Sequence, residues 1–176
     1  MSRLLEFRSE KDEFFALDPD SPLTPEQRRE FRGLAYFPED PSLRIDAELD
    51  TDVNRDEEIV MQMTTGGVQT YRRAGVVGFE VDGRTARITL YESEGMEALF
   101  VPFRDATSGT ETYGAGRYLE VDPPADGRVV VDFNIAYNPY CCYNESWSCP
   151  IPPRENWLDV PIRAGEKEFP GTAASG

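Results

Sequence analysis

The 176-residue sequence contains no histidine. Histidine supplies the general base of Ser-His-Asp triads and Cys-His dyads, and it supplies the ligands of HExxH zinc sites. These classes of active site are therefore excluded. Any chemistry must use carboxylates, cysteine, tyrosine, lysine, arginine or a bound cofactor, and we expect no cofactor because no cofactor-binding motif is present.

The chain also lacks long apolar runs and has little positive charge. No stretch approaches the roughly 20 apolar residues of a membrane helix, and residues 1–15 contain acids where a signal peptide has its apolar segment. The sequence has 33 acidic residues against 18 basic ones, a net charge of −15, and only two lysines, Lys11 and Lys167. We expect a cytoplasmic protein whose partners include neither nucleic acid nor membrane.

The same acidic, lysine-poor composition favours a halophilic protein. In molar salt, charges are screened within about 3 Å, which cancels the self-repulsion of such a surface. An ordinary acidic protein from a mesophile is the alternative.

The length predicts a single domain covering residues 1–176. Residues 1–36 form a helical arm with two short helices, the first over residues 3–17. The second begins at Thr24, because Pro25 occupies the first helical position and Gln27 completes a capping box. Residues 43–169 have the alternation and tight turns of β structure, and residues 170–176 form a flexible tail.

The β region predicts an antiparallel β-barrel or β-sandwich of about eight strands. Residues 68–73 and 76–81 are expected as separate strands. Asp82-Gly83 is the strongest hairpin signal, and it pairs Phe79 with Ala86 and Val77 with Ile88 on one face. A later strand is expected over residues 129–135.

Two polar clusters are candidate sites. The loop at 103–117 carries Arg104, Asp105, Tyr113 and Arg117, which either wrap an anion or pin the loop by Arg–Asp pairing. In the strand at 129–135, Asp132 and Asn134 share one face, which either lines a pocket or contacts solvent.

The cysteines are Cys141, Cys142 and Cys149. A disulfide could close the loop between Cys141 and Cys149, but free, packed structural thiols are expected in a reducing compartment. The chain has no CxxC pair and no histidine, so no metal site is expected. A nucleophilic Cys141 remains an alternative, as does a Glu166 or Lys167 side chain that reaches a pocket instead of forming a solvated ion pair.

At these motifs the chain resembles the domain-of-unknown-function family numbered 1684. The resemblance lies in FRDATSGTETYGAGRYLE, in DFNIAYNPYC, in CPIPPREN and in AGEK, and it spans about residues 97–169. Many members are longer, so this chain is similar to a short form that lacks an extra N-terminal region. The resemblance implies no activity.

The leading hypothesis is a protein that binds a small polar or anionic ligand in a β-barrel pocket. The ligand-binding residues are then Arg104, Asp105, Tyr113, Arg117, Asp132, Asn134, Tyr137 and Asn138. One alternative is a histidine-free, hydrolase-like enzyme that uses Cys141, Glu166 or Lys167 as catalytic groups. The other is a structural or interaction protein with no small-molecule site.

Overall fold

A computed structural model describes residues 2–169, so the expected tail at 170–176 lies outside the described residues. Helix α1 spans Arg3–Leu17 and helix α2 spans Pro25–Glu30. The predicted capping box of α2 is present: Thr24 accepts from the Gln27 backbone N–H at 3.2 Å, and Gln27 accepts from the Thr24 N–H at 2.8 Å. No helix within residues 2–169 is long and apolar enough to cross a membrane.

Seven strands follow within the described part of the chain. They are β1 (Arg44–Glu48), β2 (Glu58–Gln62), β3 (Val68–Val81), β4 (Arg84–Glu92), β5 (Leu99–Phe103), β6 (Arg117–Val121) and β7 (Arg128–Asp132). All strand pairs are antiparallel, in a five-stranded sheet of order β2-β3-β4-β5-β6 and a two-stranded sheet of β1 and β7. The expected antiparallel, mainly β fold with two helices is confirmed, but the strands do not join into one closed set.

The count of about eight strands is wrong by one because β3 is continuous where two strands were expected. A β-bulge between Arg73 and Gly75 lets the strand pass through the Ala-Gly step without ending. Gly75 has no room for a side chain, since a Cβ there would lie 2.6 Å from Leu49 Cγ and 2.7 Å from the Asp50 carbonyl oxygen. The glycine marks a close approach of the two residues that follow β1 to the bulge, and not a turn.

The hairpin of β3 and β4 has the predicted register, with Val77 opposite Ile88 and Phe79 opposite Ala86. These four side chains are buried in a cluster that also contains Val129 and Val131 of β7. The two sheets therefore share one apolar core although they exchange no strands.

The expected strand at 129–135 is wrong in its second half. Strand β7 ends at Asp132, and residues 133–135 form a 3-10 turn. The Asp132 carboxylate accepts from the Asn134 backbone N–H at 3.0 Å, and this local bond competes with continued strand pairing. Asp132 and Asn134 consequently do not share a strand face.

The C-terminal segment after residue 153 runs beside β5 and fills a gap in the large sheet. Strands β4 and β5 pair directly only at Tyr91 and Phe100. Beyond that point the buried Asn156 amide bridges them, accepting from Thr89 N–H at 2.8 Å and donating to the carbonyls of Thr89 and Pro102 at 2.8 and 2.9 Å. This bridge anchors the segment that carries Glu166 against the sheet.

Candidate functional site

The predicted anion-binding loop is held by a buried ion pair. Arg117, at the start of β6, is 1% exposed, and its Nη2 lies 3.0 Å from Asp105 Oδ2. The guanidinium also donates to the backbone carbonyls of Ile162, Ala164 and Glu166, at 2.8, 2.5 and 3.0 Å. Burial lowers the pKa of Arg117, and Asp105 opposes that shift. These contacts tie the loop to the C-terminal segment.

The other predicted ligand-binding side chains of this loop also face the protein. Asp105 Oδ1 accepts from the Thr107 backbone N–H and hydroxyl at 2.9 and 2.6 Å. The Arg104 guanidinium lies 4.5 Å from the Trp157 ring centroid, whereas Arg117 pairs with Asp105. Tyr113 packs towards the cysteines. The two arginines therefore do not converge on one anion-sized space.

The amides expected to orient a ligand bind backbone instead. Asn134 is 5% exposed; its Oδ1 accepts from Asp40 N–H at 2.8 Å, and its Nδ2 donates to the Asp40 carbonyl and to Asp132 Oδ1 at 2.9 and 3.0 Å. Asn138 Nδ2 donates to the Lys167 carbonyl at 3.0 Å, and its buried Oδ1 has no hydrogen-bond partner among residues 2–169. These residues join the segments at 40, 132–138 and 167.

Glu166 is the centre of a buried polar network, and its partner is Lys11 instead of the neighbouring Lys167. Glu166 is 2% exposed and its Oε2 pairs with Lys11 Nζ of α1. Its Oε1 accepts from the Asn138 backbone N–H at 3.0 Å and from the Tyr143 hydroxyl at 2.8 Å. Lys167 points away, with its Nζ 5.3 Å from the Phe37 ring centroid.

Lys11 is the residue that sequence reasoning missed. It is one of two lysines in the chain, and it lies on the same helical stripe as Phe7 and Phe14. A lysine on the apolar stripe of a helix places its ammonium near buried groups. The position of Lys11 on this stripe is the feature of the sequence that could have predicted a buried partner.

Beside this pair is a cleft of about 620 Å³ between α1 and the edge formed by β6 and residues 137–140. Lys11 lies at its base, with Nζ 5.0 Å from the Tyr137 ring centroid and 5.6 Å from that of Phe15. Of the predicted ligand-binding residues, only Tyr137 lines it. Its aromatic walls are Phe7, Phe14, Phe15, Tyr118, Tyr137 and Tyr140, and its charged groups are Glu10, Lys11 and Glu120.

All three cysteines are free and buried. Cys141 and Cys149 pack in one cluster with Tyr118, and the Tyr113 hydroxyl oxygen lies 3.7 Å from Cys141 Sγ. The two thiols influence each other's ionisation: the interaction raises the pKa of Cys141 and lowers that of Cys149. Cys142 packs in a different cluster, where burial raises its pKa to about 12. Residues 2–169 contain no group of three or more cysteine or acidic side chains placed to hold a metal ion.

Comparison with protein families identifies the same family that the sequence motifs resemble. The family described as "Protein of unknown function (DUF1684)" matches residues 29–167, which is most of the chain. This chain belongs to that family. A solution NMR structure of an uncharacterised protein of Haloarcula marismortui has a similar fold, with 37% identity, a TM-score of 0.70, and 94% of this chain and 92% of that chain covered. No curated protein matches the DUF1684 chain.

Proposed function

We propose that this DUF1684 protein binds a small aromatic organic cation in the cleft between α1 and β6. The observation that carries the proposal is the composition of the cleft, in which six aromatic rings surround a space of about 620 Å³ with carboxylates at its margin. Aromatic faces attract organic cations, by about 0.5–1 kcal/mol at exposed sites and about 2 kcal/mol when desolvated.

The charge of the cleft supports a cationic ligand over an anionic one. The Lys11 ammonium is already balanced by the buried Glu166 carboxylate. The remaining charged groups at the cleft, Glu10 and Glu120, are both carboxylates. The net charge of −15 also attracts cations from a distance.

The sequence favoured a polar or anionic ligand, held by Arg104 and Arg117. Arg117 donates to Asp105 and three backbone carbonyls, and Arg104 stacks on Trp157. The anionic ligand stays a prediction, and these contacts lend it no support. The aromatic rings and carboxylates of the cleft, in contrast, face an open space.

Calorimetric titration with two ligands that share a phenylethyl group and carry opposite charges, phenethylammonium and 3-phenylpropionate, tests the proposal. The ammonium compound should bind more tightly, and added KCl should weaken it because salt screens the carboxylates. Glu120→Gln should weaken binding by about two- to fivefold, which corresponds to one partly screened charge. Glu80→Gln, which removes an exposed carboxylate from β3, is the matched control and should leave the affinity unchanged.

A carboxylate ligand that binds as tightly as the ammonium ligand would refute the choice of a cation. Failure of both ligands to bind folded protein would refute the cleft as an aromatic binding site. Circular dichroism at each KCl concentration establishes that the protein is folded in the titration.

A further inference from the structure

The loop from residue 140 to residue 149 brings two thiols of the chain together. Its first turn is a 3-10 helix at Tyr140–Cys142. Its far end is fixed to the β2–β3 connection, since Cys149 N–H donates to Thr64 Oγ at 3.1 Å and the Cys149 carbonyl accepts from Thr64 N–H at 3.0 Å. With both ends fixed, the Cys141 and Cys149 side chains are buried in one cluster, and each thiol shifts the pKa of the other.

We propose that Cys141 and Cys149 are a redox-active dithiol that hydrogen peroxide oxidises to an intramolecular disulfide. The proposal rests on the burial of these two free thiols in one cluster, between the fixed ends of the loop, and is independent of the ligand proposed for the cleft. Nothing in the cleft chemistry requires the thiols, so either proposal can fail without the other.

The surroundings assign the first step to Cys149. The neighbouring Cys141 lowers the pKa of Cys149 and so favours a negative charge on the Cys149 sulfur, and the thiolate is the form of cysteine that attacks peroxides. Residues 145–148, which directly precede Cys149 in the loop, are exposed to solvent.

The two steps balance in atoms and electrons. The Cys149 sulfur attacks one oxygen of hydrogen peroxide, the O–O bond breaks, and hydroxide leaves with the thiol proton as water, which gives a sulfenic acid. The Cys141 sulfur then attacks the Cys149 sulfur, the S–O bond breaks, and hydroxide leaves with the Cys141 proton as a second water. Two thiols lose two electrons and one peroxide gains them.

Cys142 provides an internal control. It adjoins Cys141 in sequence, yet its side chain packs with Phe15 and Leu23 in the cluster under α1. Burial raises its pKa to about 12, which removes the reactive thiolate at neutral pH. It should therefore stay reduced while its neighbours oxidise.

The experiment treats the full chain with hydrogen peroxide, removes the oxidant, denatures the protein and counts its thiols with Ellman's reagent. The count should fall from the three free cysteines to one, peptide mapping should link Cys141 to Cys149, and dithiothreitol should restore all three. Cys142→Ser should still form the bridge. Cys149→Ser should retain its thiols, and Cys141→Ser should stop at a sulfenic acid on Cys149 that dimedone traps.

Three thiols that persist in the wild-type chain, after peroxide treatment sufficient to oxidise free glutathione fully, would overturn the proposal. A bridge that includes Cys142, or thiol loss that continues in Cys149→Ser, would overturn it as well. The peptide map of the wild-type chain decides the pairing even if a variant fails to fold.

Discussion

Lys11→Met removes the cation that pairs with the buried Glu166 carboxylate. The side-chain exposures of the two partners are 17% and 2%. Removing one member of a buried pair typically costs about 3–5 kcal/mol, because it leaves an uncompensated charge in a desolvated site. Methionine preserves the apolar stem packing, and Glu166 keeps its bonds from Asn138 and Tyr143. We therefore expect a loss of about 3 kcal/mol from the free energy of unfolding.

A double-mutant cycle separates the pair from the packing around it. In Glu166→Gln the amide oxygen still accepts from Asn138 and Tyr143, and Lys11 retains some access to water, so we expect a loss of about 1–2 kcal/mol. The double variant Lys11→Met with Glu166→Gln buries no unpaired charge. Its loss should be smaller than the sum of the single losses by about 2 kcal/mol.

Urea titration is the assay, because urea is uncharged and the midpoint reports stability at a chosen KCl concentration. The Lys11→Met loss should change little with KCl, since a buried pair is weakly screened. Asp46→Asn is the control: it removes the exposed Arg128–Asp46 pair, with side-chain exposures of 51% and 57%, and should cost no more than about 1 kcal/mol. A Lys11→Met loss as small as that of Asp46→Asn would refute the buried pairing.

Two further predictions follow from burial and backbone geometry. Burial is the main cause that raises the pKa of Tyr91, Tyr118 and Tyr143. Their contribution to stability should therefore be intact below pH 10, the ordinary tyrosine pKa, and should fall above it by about 1.4 kcal/mol per pH unit for each tyrosine. Absorbance and circular dichroism should show tyrosinate forming only as the chain unfolds, and tyrosinate of these residues near pH 10 in folded protein would contradict the prediction. Gly116→Ala should cost about 3–5 kcal/mol in urea unfolding, because φ is +104° and the new Cβ would lie 2.5 Å from the Phe103 carbonyl oxygen. Gly109→Ala, at φ +86° with no atom within 4 Å, should cost about 1–2 kcal/mol, and equal losses would refute the steric argument.

The features predicted correctly from sequence are those that depend on a few adjacent residues. The capping box of α2 needs only Thr24, Pro25 and Gln27, and the β3–β4 register needs only the two-residue turn and the alternation beside it. The end of β7 was missed because a local Asp132 bond to the next turn competes with strand pairing, and alternation of side chains does not reveal that competition.

The candidate site was harder to predict because its partners are distant in sequence. Lys11 and Glu166 are separated by 155 positions, and the adjacent Lys167 is the partner that sequence proximity suggests. The arginines of the loop at 103–117 have the residue types of an anion site, but residue type does not reveal that backbone carbonyls of the C-terminal segment occupy Arg117. The resemblance to DUF1684 identified the family, and it carried no information about which motif side chains face a cavity.

Helix α1, which forms one wall of the cleft, lies outside the residues that match the DUF1684 family. The match covers residues 29–167, whereas α1 ends at Leu17, so the wall formed by Phe7 and Phe14 comes from outside the matched region. The cation that balances Glu166 comes from there too. Helix α1 therefore supplies both the charge partner of a buried carboxylate and one wall of the cleft. A ligand that contacts Phe14 and Tyr137 together binds only the docked form, and it stabilises docking by RT ln(1 + [L]/Kd). Ligand binding and charge balance at Glu166 are thus coupled through the same helix.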